Sequence, residues 1–343
     1  MLSGKTVLIT GGAGSVGRAL LPRFLEENVS SIRILDNNEP SLAEIRNQVD
    51  DDRCRYLSGD IRDKDRLARA MQNVDIVVHT AAMKHVDLSE YNPFEAVKTN
   101  VFGLQNVVDT AIDESVEKVV FTSSDKSVAP SNTMGATKLL GERLVTAGNK
   151  YRGKRDIELA SVRFGNVVNS SQSVVQLFDN QIRQGGPVTL TDERMTRFFL
   201  TFTDISNLVT GAIEHMQGGE IFLKKMEAMR IEDLAHGMIE TLAPRYGYDP
   251  EGIEVQLIGR RVGETLHEKV MTEREAGRVV ENGDLYAIPP EDVGSVSSIN
   301  REELTEFSKP EVVERSSGES ELLTQDEVNS FIENHIVPEV CNE

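Results

Sequence analysis

Thr6 to Thr10 is a short apolar run that ends in Gly11, and glycines recur at Gly14 and Gly17 before an amphipathic stretch begins. No other feature constrains the chain as much as this succession of strand, G-x-x-G-x-x-G loop and helix. Gly11 permits a tight turn, Gly14 lets backbone approach a pyrophosphate, and Gly17 allows close packing of helix on strand. The first turn of the helix, with Ser15 and Val16, offers free N–H groups and a positive dipole end to a phosphate. The loop therefore reads as a dinucleotide cradle, because it has the strand before it and the helix after it that such a cradle needs. A purely structural glycine turn is the alternative.

The rest of the first half keeps the same alternation. Strand-like runs follow at SIRILD (Ser31 to Asp36), CRYLSGD (Cys54 to Asp60), VDIVVHTAA (Val74 to Ala82), EKVVFTSS (Glu117 to Ser124) and IELASVRFGN (Ile157 to Asn166). Helical stretches separate them at Val16–Glu26, Ser41–Gln48, Asp63–Gln72, Pro93–Asp113 and Gly135–Tyr151. Strands linked by helices predict an α/β chain with a doubly wound parallel sheet covered on both faces. After about Asn166 the rhythm breaks. Helices are expected at Ser173–Arg183, Asp204–Met216 and Ile231–Leu242, a strand at Glu220–Leu223, and a last helix at Thr324–His335. The expected division is a dinucleotide-binding part over 1–166, with 203–223 returning to it. A smaller substrate-binding part covers 167–202 and 224–290, and 291–343 form a tail.

The dinucleotide type follows from Asp36 at the end of the second strand. A carboxylate there accepts hydrogen bonds from a ribose 2′-OH and repels a 2′-phosphate, which favours NAD over NADP. Asp60, after the third strand, is expected to face the adenine. Acidic residues outnumber basic ones 56 to 37, a net charge of −19. That excludes the basic face of a nonspecific nucleic-acid binder and leaves room for a local basic pocket. Cys54 and Cys341 make no disulfide framework, and no apolar run is long enough for a membrane span. The first strand starts almost at once, which predicts no signal peptide and a cytoplasmic protein. His79, His85 and His267 lack ligand spacing, so no metal is expected.

The glycine spacing resembles that of the short-chain dehydrogenase/reductase superfamily in its extended form, with a Rossmann fold. GDIRD (Gly59 to Asp63), HTAA (His79 to Ala82), TNVFG (Thr99 to Gly103) and RFGNV (Arg163 to Val167) fall where that superfamily has its motifs. By this resemblance Ile61, Ala81, Ala82 and Asn100 line the cofactor. A narrower likeness rests on AAMKHVDLSEYNP (Ala81 to Pro93), FTSSDKSVAPSNTMGATK (Phe121 to Lys138), DERMTRFF (Asp192 to Phe199), GGEIF (Gly218 to Phe222) and GRRVGETLHE (Gly259 to Glu268). These are similar to the UDP-N-acetylglucosamine 4,6-dehydratases of polysaccharide and protein-glycan biosynthesis. Such enzymes oxidise C4 with bound NAD, lose water across C5 and C6, and return hydride to C6.

The resemblance makes Asp125 the acid that expels water and Lys126 the base at C5. Asp125 would need a raised pKa and Lys126 a lowered one. Lys138 matches the superfamily lysine that holds the nicotinamide ribose, and Ser124 the Ser/Thr that hydrogen bonds O4. Met134 stands where the superfamily has its tyrosine and has no ionisable proton. Either the chain is a cofactor-binding protein without activity, or O4 loses its proton to Lys126, Asp125 or a water held by Lys138. The UDP-sugar is expected to meet Lys84, Asn166, Arg197, Arg261 and Glu264, with Arg260 a further candidate. Asn169 to Ser173 departs from the family-like G-S-R-G-S, with Ser171 in place of the Arg. The soluble character and the tail favour inversion at C5. The helices Pro93–Asp113 and Gly135–Tyr151 resemble those that pair across a two-fold, so a homo-oligomer is expected, with the tail helix able to add contacts. The rival readings are a nucleotide-sugar 4-epimerase and a non-catalytic NAD-binding sensor or scaffold.

Overall fold

The structure is a computed structural model that describes residues 2–171, 173–260, 263–291 and 304–340. Chain order runs β1 (Thr6–Thr10), α1 (Ser15–Glu26), β2 (Ser31–Asp36), α2 (Glu39–Gln48), β3 (Cys54–Ser58), α3 (Lys64–Met71) and β4 (Ile76–His79). It continues with α4 (Val86–Tyr91), α5 (Pro93–Val97), a π-helical turn (Lys98–Gly103), α6 (Leu104–Asp113), β5 (Lys118–Thr122), α7 (Thr133–Tyr151) and β6 (Glu158–Val162). The second half adds β7 (Asn166–Val167), α8 (Val174–Arg183), β8 (Val188–Leu190), β9 (Thr196–Leu200), α9 (Phe202–His215), β10 (Ile221–Lys224), β11 (Glu227–Arg230) and α10 (Ile231–Leu242). Then follow β12 (Val255–Leu257), α11 (Glu273–Ala276), β13 (Val280–Asn282), β14 (Leu285–Ile288) and α12 (Gln325–His335).

Nine strands form one sheet in the order β13-β14-β10-β6-β5-β4-β1-β2-β3. From β3 to β10 every pairing is parallel, while β14 and β13 join antiparallel at the edge. This is the expected doubly wound sheet, and its strand order reverses between β1 and β4. A crevice opens there, outside the carboxyl ends of the strands. Side chains alternate across a strand. In β1, Val7 and Ile9 enter the core with α1 and α9, while Leu8 enters the core with α3, α6 and α7. Both faces are covered, so the strand reads as one apolar run.

Three departures from expectation matter for the site. The stretch Pro93–Asp113 is not one helix: the π turn interrupts it and directs Asn100 inward. A Cβ on Gly103 would lie 2.6 Å from Ile61 Cδ1, so this turn packs directly under the cofactor side of the cleft. Residues 280–288, expected with the substrate-binding part, extend the edge of the large sheet instead. The tail helix α12 is capped by Thr324 and Glu327 and buries Val328, Phe331 and Ile332 against α10 in a third core. Its apolar face is therefore covered by its own chain. The remaining strands make two small sheets, β11-β9-β7 and β12-β8, on which α8 and α10 pack.

Candidate active site

The carboxyl ends of β1, β4, β5 and β6 open into a cleft of about 1020 Å³, closed on the far side by β9 and residues 263–268. Gly11 sits at φ 67°, and a Cβ there would lie 2.5 Å from the Ala81 amide nitrogen. Gly17 is equally constrained: its Cβ would come within 2.5 Å of Gly12 Cα. Gly14 caps α1 without any side-chain cap, so the first-turn amides beside Ser15 and Val16 are open to an anion. Asp36 lines the cleft while its Oδ2 accepts from Ala13 N at 3.1 Å and its Oδ1 from Asn38 N at 2.9 Å. The carboxylate thereby ties the glycine loop to β2, and each oxygen keeps a lone pair for a ribose. The residues present fit a dinucleotide.

Ile61, Ala81 and Ala82 line this half of the cleft. Asp60 also reaches it, but Arg62 bonds its carboxylate at 2.6 Å and holds its pKa below the usual range. Asp60 thus meets the cleft as a carboxylate already paired with Arg62. Asn100 is a correction. It is buried behind the cleft, its Oδ1 accepting from Met83 N at 2.8 Å and its Nδ2 donating to Met83 O and Thr137 Oγ1, both at 2.9 Å. Its amide fixes the loop after β4 to α7 and does not line the cleft.

The reactive stretch follows β5. Ser124 caps a short 3-10 turn, Asp125–Ser127, by accepting from Lys126 N. A Cβ on Gly135 would collide with the Lys126 carbonyl oxygen, so α7 packs directly against this turn. Ser124 Oγ donates to Asp125 Oδ1 at 2.9 Å, and Lys126 Nζ reaches the same oxygen at 3.1 Å. On its other side Lys126 Nζ lies 3.4 Å from Glu268 Oε1, which in turn lies 3.6 Å from Arg197 Nε. Burial alone would lower the Lys126 pKa, but the Asp125 and Glu268 carboxylates outweigh it and leave it raised. The expected lowering is therefore reversed. Burial raises the Glu268 carboxyl; the Lys126 ammonium opposes this and the Asp125 charge adds to it. Asp125 has 0 % exposure and is not among the cleft-lining residues, and its Oδ2 has no hydrogen-bond partner among the described residues.

Lys138 and Met134 lie one turn apart on α7 and both line the cleft. Lys138 Nζ donates to Thr122 O at 2.7 Å and sits 4.8 Å over the Phe121 ring. Burial lowers its pKa to about 8, with Glu142 opposing. Behind the reactive stretch, Arg163 bonds Glu142 at 2.8 Å and Glu275 at 3.0 Å. Glu142 also accepts from Ser123 Oγ at 2.6 Å and Ser127 Oγ at 2.8 Å. This buried network joins β6, α7 and α11 to the turn that carries Asp125 and Lys126. It escapes the motif reading, although Arg163 stands within RFGNV.

Of the residues expected at the UDP-sugar, Lys84, Asn166, Arg197 and Glu264 line the cleft. Lys84 Nζ donates to Ser171 O at 2.9 Å, and burial lowers its pKa. Ser171 Oγ lies 2.7 Å from Ser15 Oγ, so the segment that departs from the family-like pattern meets the glycine loop. Arg197 donates to the carbonyls of Thr196, Thr265 and Leu266 at 2.8–3.0 Å. With Glu268 also beside it, this guanidinium holds the 265–268 segment and has little left for a phosphate. Arg260 sits 3.8 Å from Asp192, and Arg261 lies outside the described residues. His79 is buried and held neutral, its pKa lowered by burial to about 3. Among the described residues no three His, Cys, Asp or Glu side chains gather as metal ligands.

The family described as "Polysaccharide biosynthesis protein" matches residues 7–290. The chain belongs to this family. It is an extended short-chain dehydrogenase/reductase in fold and motif. The polysaccharide biosynthesis relatives include an "Uncharacterized membrane protein MJ1061" of Methanocaldococcus jannaschii, 50% identical over 83% of this chain and 86% of the relative. A "UDP-N-acetylglucosamine 4,6-dehydratase (inverting)" of Campylobacter jejuni is 40% identical over 84% of each chain. A "UDP-glucose 4-epimerase" of Rickettsia canadensis is 38% identical over 84% of each chain. Among solved structures, Pen from Bacillus thuringiensis superposes with a TM-score of 0.87 at 38% identity, covering 97% of this chain and 98% of that one. DesIV of Streptomyces venezuelae, a dTDP-glucose 4,6-dehydratase with NAD bound, gives 0.67 at 25% identity over 76% and 86%. Despite the name of the first relative, no described helix here is long and apolar enough to cross a membrane.

Proposed function

We propose that this polysaccharide biosynthesis protein is a UDP-N-acetylglucosamine 4,6-dehydratase that uses NAD. The observation that carries the reading is the buried acid–base cluster of Asp125, Lys126 and Glu268, set beside Lys138 in a cleft with a dinucleotide cradle. When bound, NAD supplies a hydride acceptor for sugar C4 and a donor for C6. The α1 amides at Ser15 and Val16 bind its pyrophosphate and Asp36 its adenosine ribose. Lys138 holds the nicotinamide ribose and places positive charge near C4. Ser124 hydrogen bonds O4. Lys126 works at C5, beside a carboxyl that serves O6. Lys84, Asn166 and Glu264 hold the UDP-sugar, with Arg261 as a further contact. Residues 1–166 and 203–223 serve the cofactor, and 167–202 with 224–290 the sugar nucleotide, apart from the edge strands β13 and β14.

The 40% relative with this activity and its inverting label support the reading and favour C5 inversion. A 4-epimerase is the second reading, favoured by the Rickettsia relative. Hydride return to C4 needs no acid–base cluster at C5 and C6, and Met134 cannot serve O4 as a phenolate does. A homo-oligomer is part of the proposal: Phe94 is 80 % exposed and Phe102 60 %, within the Pro93–Asp113 stretch expected to pair, and Tyr91 just before it is 86 % exposed. Purified protein given UDP-N-acetylglucosamine and NAD should yield a nucleotide sugar lighter by one water in mass spectrometry. An isomer of unchanged mass would support the epimerase.

A further inference from the structure

Glu142 is a buried carboxylate to which the proposed reaction gives no part. It sits one turn beyond Lys138 on α7. Its Oε1 accepts from Ser123 Oγ at 2.6 Å, Ser127 Oγ at 2.8 Å and Arg163 Nε at 3.0 Å, and its Oε2 from Arg163 Nη2 at 2.8 Å. Ser123 and Ser127 bracket the reactive stretch, one before Ser124 and the other after Lys126. A single carboxylate therefore grips the turn from both sides. Arg163 does not depend on it alone, since Glu275 takes the other edge of the guanidinium at 3.0 and 3.2 Å.

Glu142 also bears on Lys138. That ammonium donates to a neutral carbonyl, Thr122 O, and lies over the Phe121 ring. The Glu142 charge favours its charged form against burial. The other ionisable groups around it are neutral or matched. His79 on β4, stacked on Phe121, is held neutral by burial. Asp125 and Lys126 on the turn pair with each other, and Arg163 on β6 is matched by Glu275 from α11. The π turn brings the uncharged Asn100.

Resting on the dehydratase reading, we propose that Glu142 is a positioning residue with two duties. It holds the turn that carries Asp125 and Lys126, and it supplies the buried negative charge that keeps Lys138 an ammonium. The reactive turn and the lysine assigned to C4 are thus kept in register by one side chain.

The test separates charge from contact. NMR titration of isotope-labelled lysines should show one signal, absent in Lys138→Arg, that titrates near pH 8. Glu142→Gln keeps an acceptor for the two serines and removes the charge. It should move that titration down by about one pH unit, and the alkaline limb of kcat/KM for water loss should move with it. Ser123→Ala combined with Ser127→Ala keeps the charge and frees the turn. This double variant should leave the titration in place and lower kcat by about 10–100-fold, with KM within about twofold. An unmoved titration in Glu142→Gln, or an unchanged kcat in the serine variant, would overturn the assignment. Should Glu142→Gln fail to fold, the serine variant decides alone. The lysine titration needs no turnover. A wild-type protein that loses no water while the titration moves as expected would overturn the dehydratase reading and leave the charge role of Glu142 standing.

Discussion

At Lys138 a buried ammonium has a pKa of about 8 rather than 10.5. Its folded pKa is depressed, so the folded state binds fewer protons than the unfolded one between those values. Stability from this group is lowest below pH 8 and rises as pH climbs from about 8 to 10.5. In the proposed reaction activity runs the other way, because the Lys138 charge assigned to C4 is lost as pH rises through about 8. We expect kcat/KM to fall through an alkaline limb near pH 8, and Lys138→Arg, which stays charged, to remove that limb. A pH–rate profile of both proteins checks this. Met134 makes no proton transfer, so Met134→Leu should keep kcat within a few-fold and lower stability by less than about 1.5 kcal/mol. Motif reading at the residue scale finds a cleft position where one side chain meets the cleft directly, as at Lys138 and Asp36. It fails where partners come from distant segments. Nothing near RFF in sequence says that Arg197 will be tied to residues 265 and 266, and nothing near TNVFG says that Asn100 will serve Met83 and Thr137.

At the scale of elements, the turn after β5 depends on a salt bridge it does not contain. Arg163 is 1 % exposed between Glu142 and Glu275, and Glu142 holds Ser123 and Ser127. Arg163→Met leaves two buried carboxylates unpaired and should cost about 3–5 kcal/mol, read as a lower midpoint in denaturant unfolding. The first-half strands are legible because each is an apolar run bounded by turn residues and covered on both faces. Their observed limits shrink only at the ends: Val74 to Ala82 becomes Ile76–His79, since Thr80 to Ala82 bend away to form the cleft wall. The second half hides β8, β9 and β11 to β14. These strands are three to five residues long; β13 and β14 pair with each other across a tight turn, while others have partners far away in sequence, such as β9 with β7 and β11. Periodicity over so short a run has nothing to register against. The π turn is equally hidden, because a helix period carries straight through it.

At the scale of the molecule, the tail belongs to the site. Ser317 is wholly buried and bonds Glu268 and Thr196, while α12 seals the core under α10. Removing residues 304–343 should abolish sugar turnover and lower Tm, read by calorimetry beside an activity assay. Sequence periodicity finds α12 but not its destination. Tyr91, Phe94 and Phe102 remain exposed, and Phe94→Asp should shift the protein towards monomer in light scattering. The central claim is tested most directly by proton NMR of the protein with UDP-N-acetylglucosamine and NAD in D2O. The account predicts a new C6 methyl signal, a 4-keto or hydrated C4, deuterium at C5 and ring couplings of the inverted isomer. An unchanged C6 with an inverted C4 would contradict it.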